Sequence, residues 1–88
     1  MRMNNDSNTI KLEFYKFSDY IWKSHYKLDQ AHFYIHHMRH NYLLHVPKRF
    51  LIQFKDGRTD PYFRTATYEE AEQLAQLIFR GKAGEIKF

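Results

Sequence analysis

The chain contains no cysteine. That excludes disulfides, thiolate zinc sites and a cysteine nucleophile, and it fits a reducing compartment. Long apolar runs are missing as well. No stretch approaches the roughly 20 residues of a membrane span, and Met1-Arg2-Met3-Asn4-Asn5-Asp6 leads into no apolar signal segment. The expectation is a cytoplasmic protein without membrane contact. Glycine is scarce, at three residues, and proline at two. No GxGxxG, phosphate loop or GxSxG motif is present. The acidic run Glu69, Glu70 and Glu72 reads as the first turn and solvent face of a helix rather than a catalytic carboxylate pair. The sequence therefore predicts neither an enzyme nor a cofactor.

Rings and cations are what the chain has in quantity. Eight Phe, seven Tyr and one Trp make 18% of its 88 residues. A chain this short has little surface to bury, and large rings supply buried area efficiently, so most of them are expected in the core. Lys and Arg exceed Asp and Glu by four. That balance favours anionic partners: nucleic acid, an acidic protein or an anionic surface.

Residues 1–8 are polar and read as a flexible tail, with residues 9–88 forming a single α+β domain. Ile10, Leu12 and Phe14 alternate with Lys11, Glu13 and Tyr15, the pattern of a half-buried strand. Ser18 to Val46 contains neither Gly nor Pro, and two readings compete there. Leu28, Ala31, Ile35, Met38 and Tyr42 recur at spacings of three and four, which predicts a helix over 29–42 with Asp29 as its cap. In the alternative, Phe33 and Ile35 alternate with Tyr34 and His36 along a strand, and Arg39-His40-Asn41 is a turn. The helical reading is preferred.

Phe50, Ile52 and Phe54 alternate with Leu51, Gln53 and Lys55, and Asp56-Gly57 supplies a hairpin turn. The return strand, 62–66, starts after Pro61 or lies at an edge. Thr67-Tyr68-Glu69-Glu70 is a capping box. It opens a helix with Tyr68, Ala71, Leu74, Ala75 and Ile78 on its buried stripe, Leu77 at the margin and Gly81 as the terminator. A short strand, 85–88, closes the chain. The expected fold is a β-α-β-β-α-β ferredoxin-like antiparallel sheet with helices on one face and the other face open. The alternative is a mostly-β meander with one C-terminal helix.

His32, His36 and His40 lie four apart, with His25 on the same sector of a continuous helix. Such spacing lets imidazoles share a metal. No carboxylate base lies among them and Arg39 disfavours a cation, so no metal site is predicted.

The basic, aromatic surface is the stronger signal. Lys48, Arg49, Lys55, Arg58 and Arg64 are the expected phosphate contacts, and Tyr62 the stacking platform for an unpaired base. The segment from Tyr62-Phe63-Arg64 to Gly81-Lys82 distantly resembles the last strand–helix–strand of RNA-recognition modules. It lacks that family's Gly-aromatic-Gly/Ala-Phe core, and no binding residue is carried over. The function expected is a non-enzymatic module that contacts nucleic acid or a nucleoprotein complex through the hairpin. The alternative is a protein–protein adaptor or inhibitor, of phage-type size, docking through Trp22, Tyr26, Tyr34, Met38 and Arg39. Self-pairing of an edge strand into a homodimer is a further route.

Overall fold

The computed structural model describes residues 11–28, 31–54 and 56–82. The expected tail 1–8, the closing strand 85–88 and Lys55 lie outside them. Five strands run in chain order, β1 (Phe14–Ser18), β2 (Ile21–Leu28), β3 (Ala31–His37), β4 (Tyr42–His45) and β5 (Tyr62–Thr65). They form one antiparallel sheet in which each strand pairs with the next. A 3-10 segment, Lys48–Gln53, lies between β4 and β5, and one helix, α1 (Tyr68–Phe79), follows β5. This is the meander with a C-terminal helix, and the ferredoxin-like order is not what the described residues form.

The helix expected over 29–42 is replaced by β3, the turn at 38–41 and the start of β4. The burial pattern gives the reason. Phe33 and Ile35 are both fully buried, and they stand two residues apart. A helix would turn them to nearly opposite sides, whereas a strand puts both on one face. Ring-rich and β-branched composition suits a pleated surface. Met38 N–H donates to the Asn41 carbonyl (2.8 Å) and closes the β3–β4 hairpin without glycine.

The strand expected over 50–55 is also corrected. Phe50 N–H donates to the Pro47 carbonyl and Phe54 N–H to the Leu51 carbonyl, the short-range bonds of a 3-10 segment. The β4 edge that such a strand would need is occupied by β5. Asp56-Gly57 consequently joins no paired strands. Gly57 does adopt a positive φ of 72°, and the Asp56 carboxylate accepts from Arg58 N–H (3.0 Å), so the turn chemistry is present inside a loop. β5 begins at Tyr62, after Pro61, as expected, and is an edge strand among the described residues.

α1 forms as its sequence dictates. Thr67 Oγ1 accepts from Glu70 N–H (3.1 Å) and the Glu70 carboxylate accepts from Thr67 N–H (3.2 Å). Gly81, at φ 76°, allows Gly81 N–H to reach the Ile78 carbonyl and Lys82 N–H the Leu77 carbonyl, the Schellman ending. Ala71, Ala75 and Ile78 are buried against Phe33, Ile35, Leu44 and Phe63. Gln76 clasps the chain ahead of β1: its Oε1 accepts from Leu12 N–H (2.8 Å) and its Nε2 donates to the Leu12 carbonyl.

Candidate functional site

Alternation decides which side chains meet the helix and which do not. On the covered face, Trp22, Ile35, Leu44 and Phe63 stand opposite one another across β2 to β5. No described element packs over the other face. There the register aligns Tyr15, Lys23, Tyr34, His45 and Tyr62, one residue from each strand in turn. A second row, Ile21, His36, Leu43 and Arg64, runs beside it. With strands about 4.8 Å apart, the first row spans roughly 19 Å and its three tyrosines recur at roughly 10 Å.

Tyr34 sits at the centre. Its ring lies 6.1 Å from His32, 6.3 Å from His36 and 5.9 Å from His45. Lys23 Nζ stands 5.9 Å from the same ring and 4.7 Å from that of Phe17. His45 in turn packs on Tyr62 at 4.9 Å, and Tyr15 on His25 at 4.6 Å. Burial, with His36 and Lys48 nearby, holds the His45 imidazole below its usual pKa. Loss of solvent and the proximity of other positive groups both penalise the charged ring.

Ser24 shapes this region from below. Between Lys23 and Lys27 the β2–β3 register slips, and the ladder bonds are replaced by side-chain ones. Phe33 N–H donates to Ser24 Oγ (3.0 Å), and Ser24 Oγ–H donates to the Tyr26 carbonyl (2.6 Å). The Ser24 carbonyl lies 2.7 Å from His32 Nδ1. A carbonyl only accepts, so Nδ1 carries the hydrogen and Nε2 is the nitrogen left to take up a proton.

Charge is segregated by element. None of the residues in the five strands is acidic, while Lys16, Lys23, Lys27, Arg64 and five of the six histidines lie there. α1 is the reverse, with Glu69, Glu70 and Glu72 and no Lys or Arg.

The phosphate-contact residues expected from sequence are divided by the fold. Tyr62 and Arg64 are exposed on the open face of β5, and Lys48, exposed at the start of the 3-10 segment, stands close enough to influence His45. Arg49 is exposed beside it. Arg58 goes to the other side: its guanidinium lies 4.3 Å from the ring of Phe63, a covered-face residue, and Nη1 donates to the Tyr62 carbonyl (3.5 Å). The expected protein-contact residues are divided too. Trp22 packs on Tyr68 (4.9 Å) and Tyr26 on Phe79 (4.8 Å), both on the helix side. Tyr34 is on the open face. Met38 and Arg39 occupy the β3–β4 turn, where with Tyr20 and His37 they line a shallow cleft. Tyr15, Lys23 and His45 were missed as candidates, and His32 and His36 were weighed only as metal ligands. Their sequence signal was the period-two alternation across 31–37, together with the lack of acidic residues.

The four-residue histidine spacing loses its helical meaning on a strand. His32 and His36 share a face of β3, and His40 lies in the turn. Among the described residues no group of three or more His, Asp or Glu is placed to hold a metal ion. On the helix flank, burial and the adjacent Glu72 push the Tyr68 hydroxyl up to about 12. No helix among the described residues is long and apolar enough to cross a membrane. No protein-family model matches the chain, and no curated protein or solved structure matches it significantly.

Proposed function

We propose that this chain is a non-enzymatic module that binds single-stranded nucleic acid across the open face of its sheet. The observation that carries the reading is the row Tyr15–Lys23–Tyr34–His45–Tyr62, one residue per strand, on a sheet whose strands hold no acidic residue. Rings are sequence-tolerant platforms for unpaired bases, and cations between them attract the phosphates. Tyrosines recurring at roughly 10 Å cannot each meet a base of a stacked strand at successive steps of about 3.4 Å. A splayed single strand suits that spacing and a duplex does not. This reading moves the expected contact surface from the Asp56-Gly57 loop to the sheet, keeping Tyr62, Arg64, Lys48 and Arg49 and setting Arg58 aside.

The test is affinity for an oligothymidylate measured over a salt series. Binding is expected to weaken steeply with salt. Lys23→Gln and Arg64→Gln are each expected to reduce the slope of log K against log salt by about 1, without altering the circular dichroism of the protein. A salt-insensitive affinity, or one indifferent to both substitutions, would sink the proposal.

A protein-binding role has one observation of its own. Tyr20 (65% exposed) and Met38 (45%) stand together at the hairpin tips beside Arg39, residue types favoured at interfaces. An adaptor or inhibitor docking there would be weakened by Tyr20→Ala and Met38→Ala. Nucleic-acid affinity, which depends on the sheet face, would hold in those variants.

A further inference from the structure

Five of the six histidines lie in strands, and three surround a single tyrosine in the middle of the open face. No carboxylate in the strands offsets them. We propose that His32, His36 and His45, set around Tyr34 beside Lys23, form a proton-accepting phosphate-binding patch, the imidazoles taking up protons as successive phosphodiesters of the bound strand settle beside them. The inference rests on the nucleic-acid reading and adds to it a named anion site and a dependence on pH.

The groups facing each imidazole support it. His45 is met by Tyr34 and His36 from β3, by Tyr62 from β5 and by Lys48 from the 3-10 segment. His36 is flanked by Tyr34 and, in register, by Ile21 of β2 and Leu43 of β4. His32 is held through Nδ1 by the Ser24 carbonyl. Lys23 completes the surround from β2, and Arg64 stands opposite Leu43 on β5. The described carboxylates are elsewhere: Glu13 ahead of β1, Asp19 in the β1–β2 turn, Asp56 and Asp60 in the loop before β5, and three Glu on α1.

Without an anion, burial and the nearby His36 and Lys48 disfavour protonation of His45. Phosphates beside the rings reverse that balance: each positive ring then gains an opposite charge, and each gains a second N–H to donate. Binding and proton uptake are therefore linked, and each favours the other. His37 and His40 provide an internal control. His37 stacks on Tyr42 on the covered face, at 4.5 Å and 4° between planes, and His40 is in the turn.

The decisive experiment follows the imidazole resonances of the wild-type protein by NMR over pH, alone and with an oligothymidylate of about ten residues, within the usual range of single-strand site sizes. The pKa values of His32, His36 and His45 are expected to rise when the strand is present, while those of His37 and His40 hold. Affinity at constant ionic strength is expected to increase between about pH 8 and about pH 5.5, by up to about tenfold for each imidazole whose pKa rises by one unit. His36→Gln and His45→Gln should each flatten that profile. Binding that leaves the three imidazoles unmoved, or that shifts His37 and His40 equally, would overturn the phosphate site and leave the sheet-face reading intact. Absence of binding at low salt at every pH would overturn both. Inorganic phosphate is the second probe: shifts of the three rings with phosphate but not with the strand would assign the site to a free anion and overturn the strand-bound version.

Discussion

Phe33 and Tyr34 are neighbours in sequence and lie on opposite faces of β3. Phe33 is fully buried, against Phe50 at 5.1 Å and Phe79 at 6.2 Å. Tyr34 is half-buried among imidazoles, with no described element above it. The difference teaches that one strand writes two programmes at once. Phe33 and Ile35 build the core with α1, and even positions from 32 to 36 build the candidate interface. Substitution at adjacent positions separates them. Phe33→Ala is expected to cost about 3–5 kcal/mol in urea denaturation, the usual loss for a buried Phe, and a domain this small tolerates little of that. Tyr34→Ala should cost about 1 kcal/mol or less, in the range of surface changes, while weakening strand binding by about 1–3 kcal/mol. Equal stability losses at the two sites would erase the distinction between the faces.

The covered face depends on one polar clasp as well as on apolar contact. Gln76 is 8% exposed, and its amide satisfies both backbone groups of Leu12. Gln76→Ala strands a buried N–H and a buried carbonyl, which predicts a loss of about 2–3 kcal/mol. Because Leu12 precedes β1, the same variant is expected to speed amide exchange there more than in β4. Uniform exchange across the sheet would show that the clasp stabilises the fold globally and not the β1 end.

How much of this was legible in sequence depended on whether the signal was local. The segment from Thr67 to Gly81 reads correctly because capping box, apolar stripe and positive-φ glycine all act within a few residues. The segment from Asp29 to Tyr42 carried two periodicities, and the apolar stripe at three–four spacing masked the alternation of Phe33, Tyr34, Ile35 and His36. Only long-range pairing with β2 and β4 decides between them. The 3-10 segment failed for a related reason: Phe50, Ile52 and Phe54 alternate, yet the β4 edge next to them in the chain is taken by β5, and Ile52 ends 88% exposed. The candidate interface suffered with it. Arg58 and Arg64 look equivalent in sequence, and the loop that replaces the hairpin sends one over Phe63 while β5 turns the other to the open face. The open face itself was anticipated from the layer architecture, but its row of residues needed the register.

The two faces also differ in the pH range over which they respond. Tyr68, on the covered side, has its hydroxyl raised from 10.0 to about 12 by burial and Glu72. A raised pKa favours the neutral phenol in the folded state, so its contribution is full below about pH 10 and is lost as pH climbs towards 12. Thermal melts are expected to decline over that interval, and Tyr68→Phe should remove part of the decline. His45, on the open side, has the opposite shift. Its lowered pKa favours the neutral ring, so its contribution is full above the ordinary value of 6.5 and falls away as pH drops through the lowered folded value. The free protein should therefore melt at a lower temperature at mildly acid pH than at pH 7.5, by a small amount because the ring is half exposed to solvent. His45→Gln should flatten that dependence. Under the proposed function an anionic strand would reverse the sign, since the charge that destabilises the free sheet is the charge that would bind it. A melting temperature that rises on mild acidification in the free protein would contradict the lowered His45 pKa, and with it the view that the open face is electrostatically unsatisfied until an anion arrives.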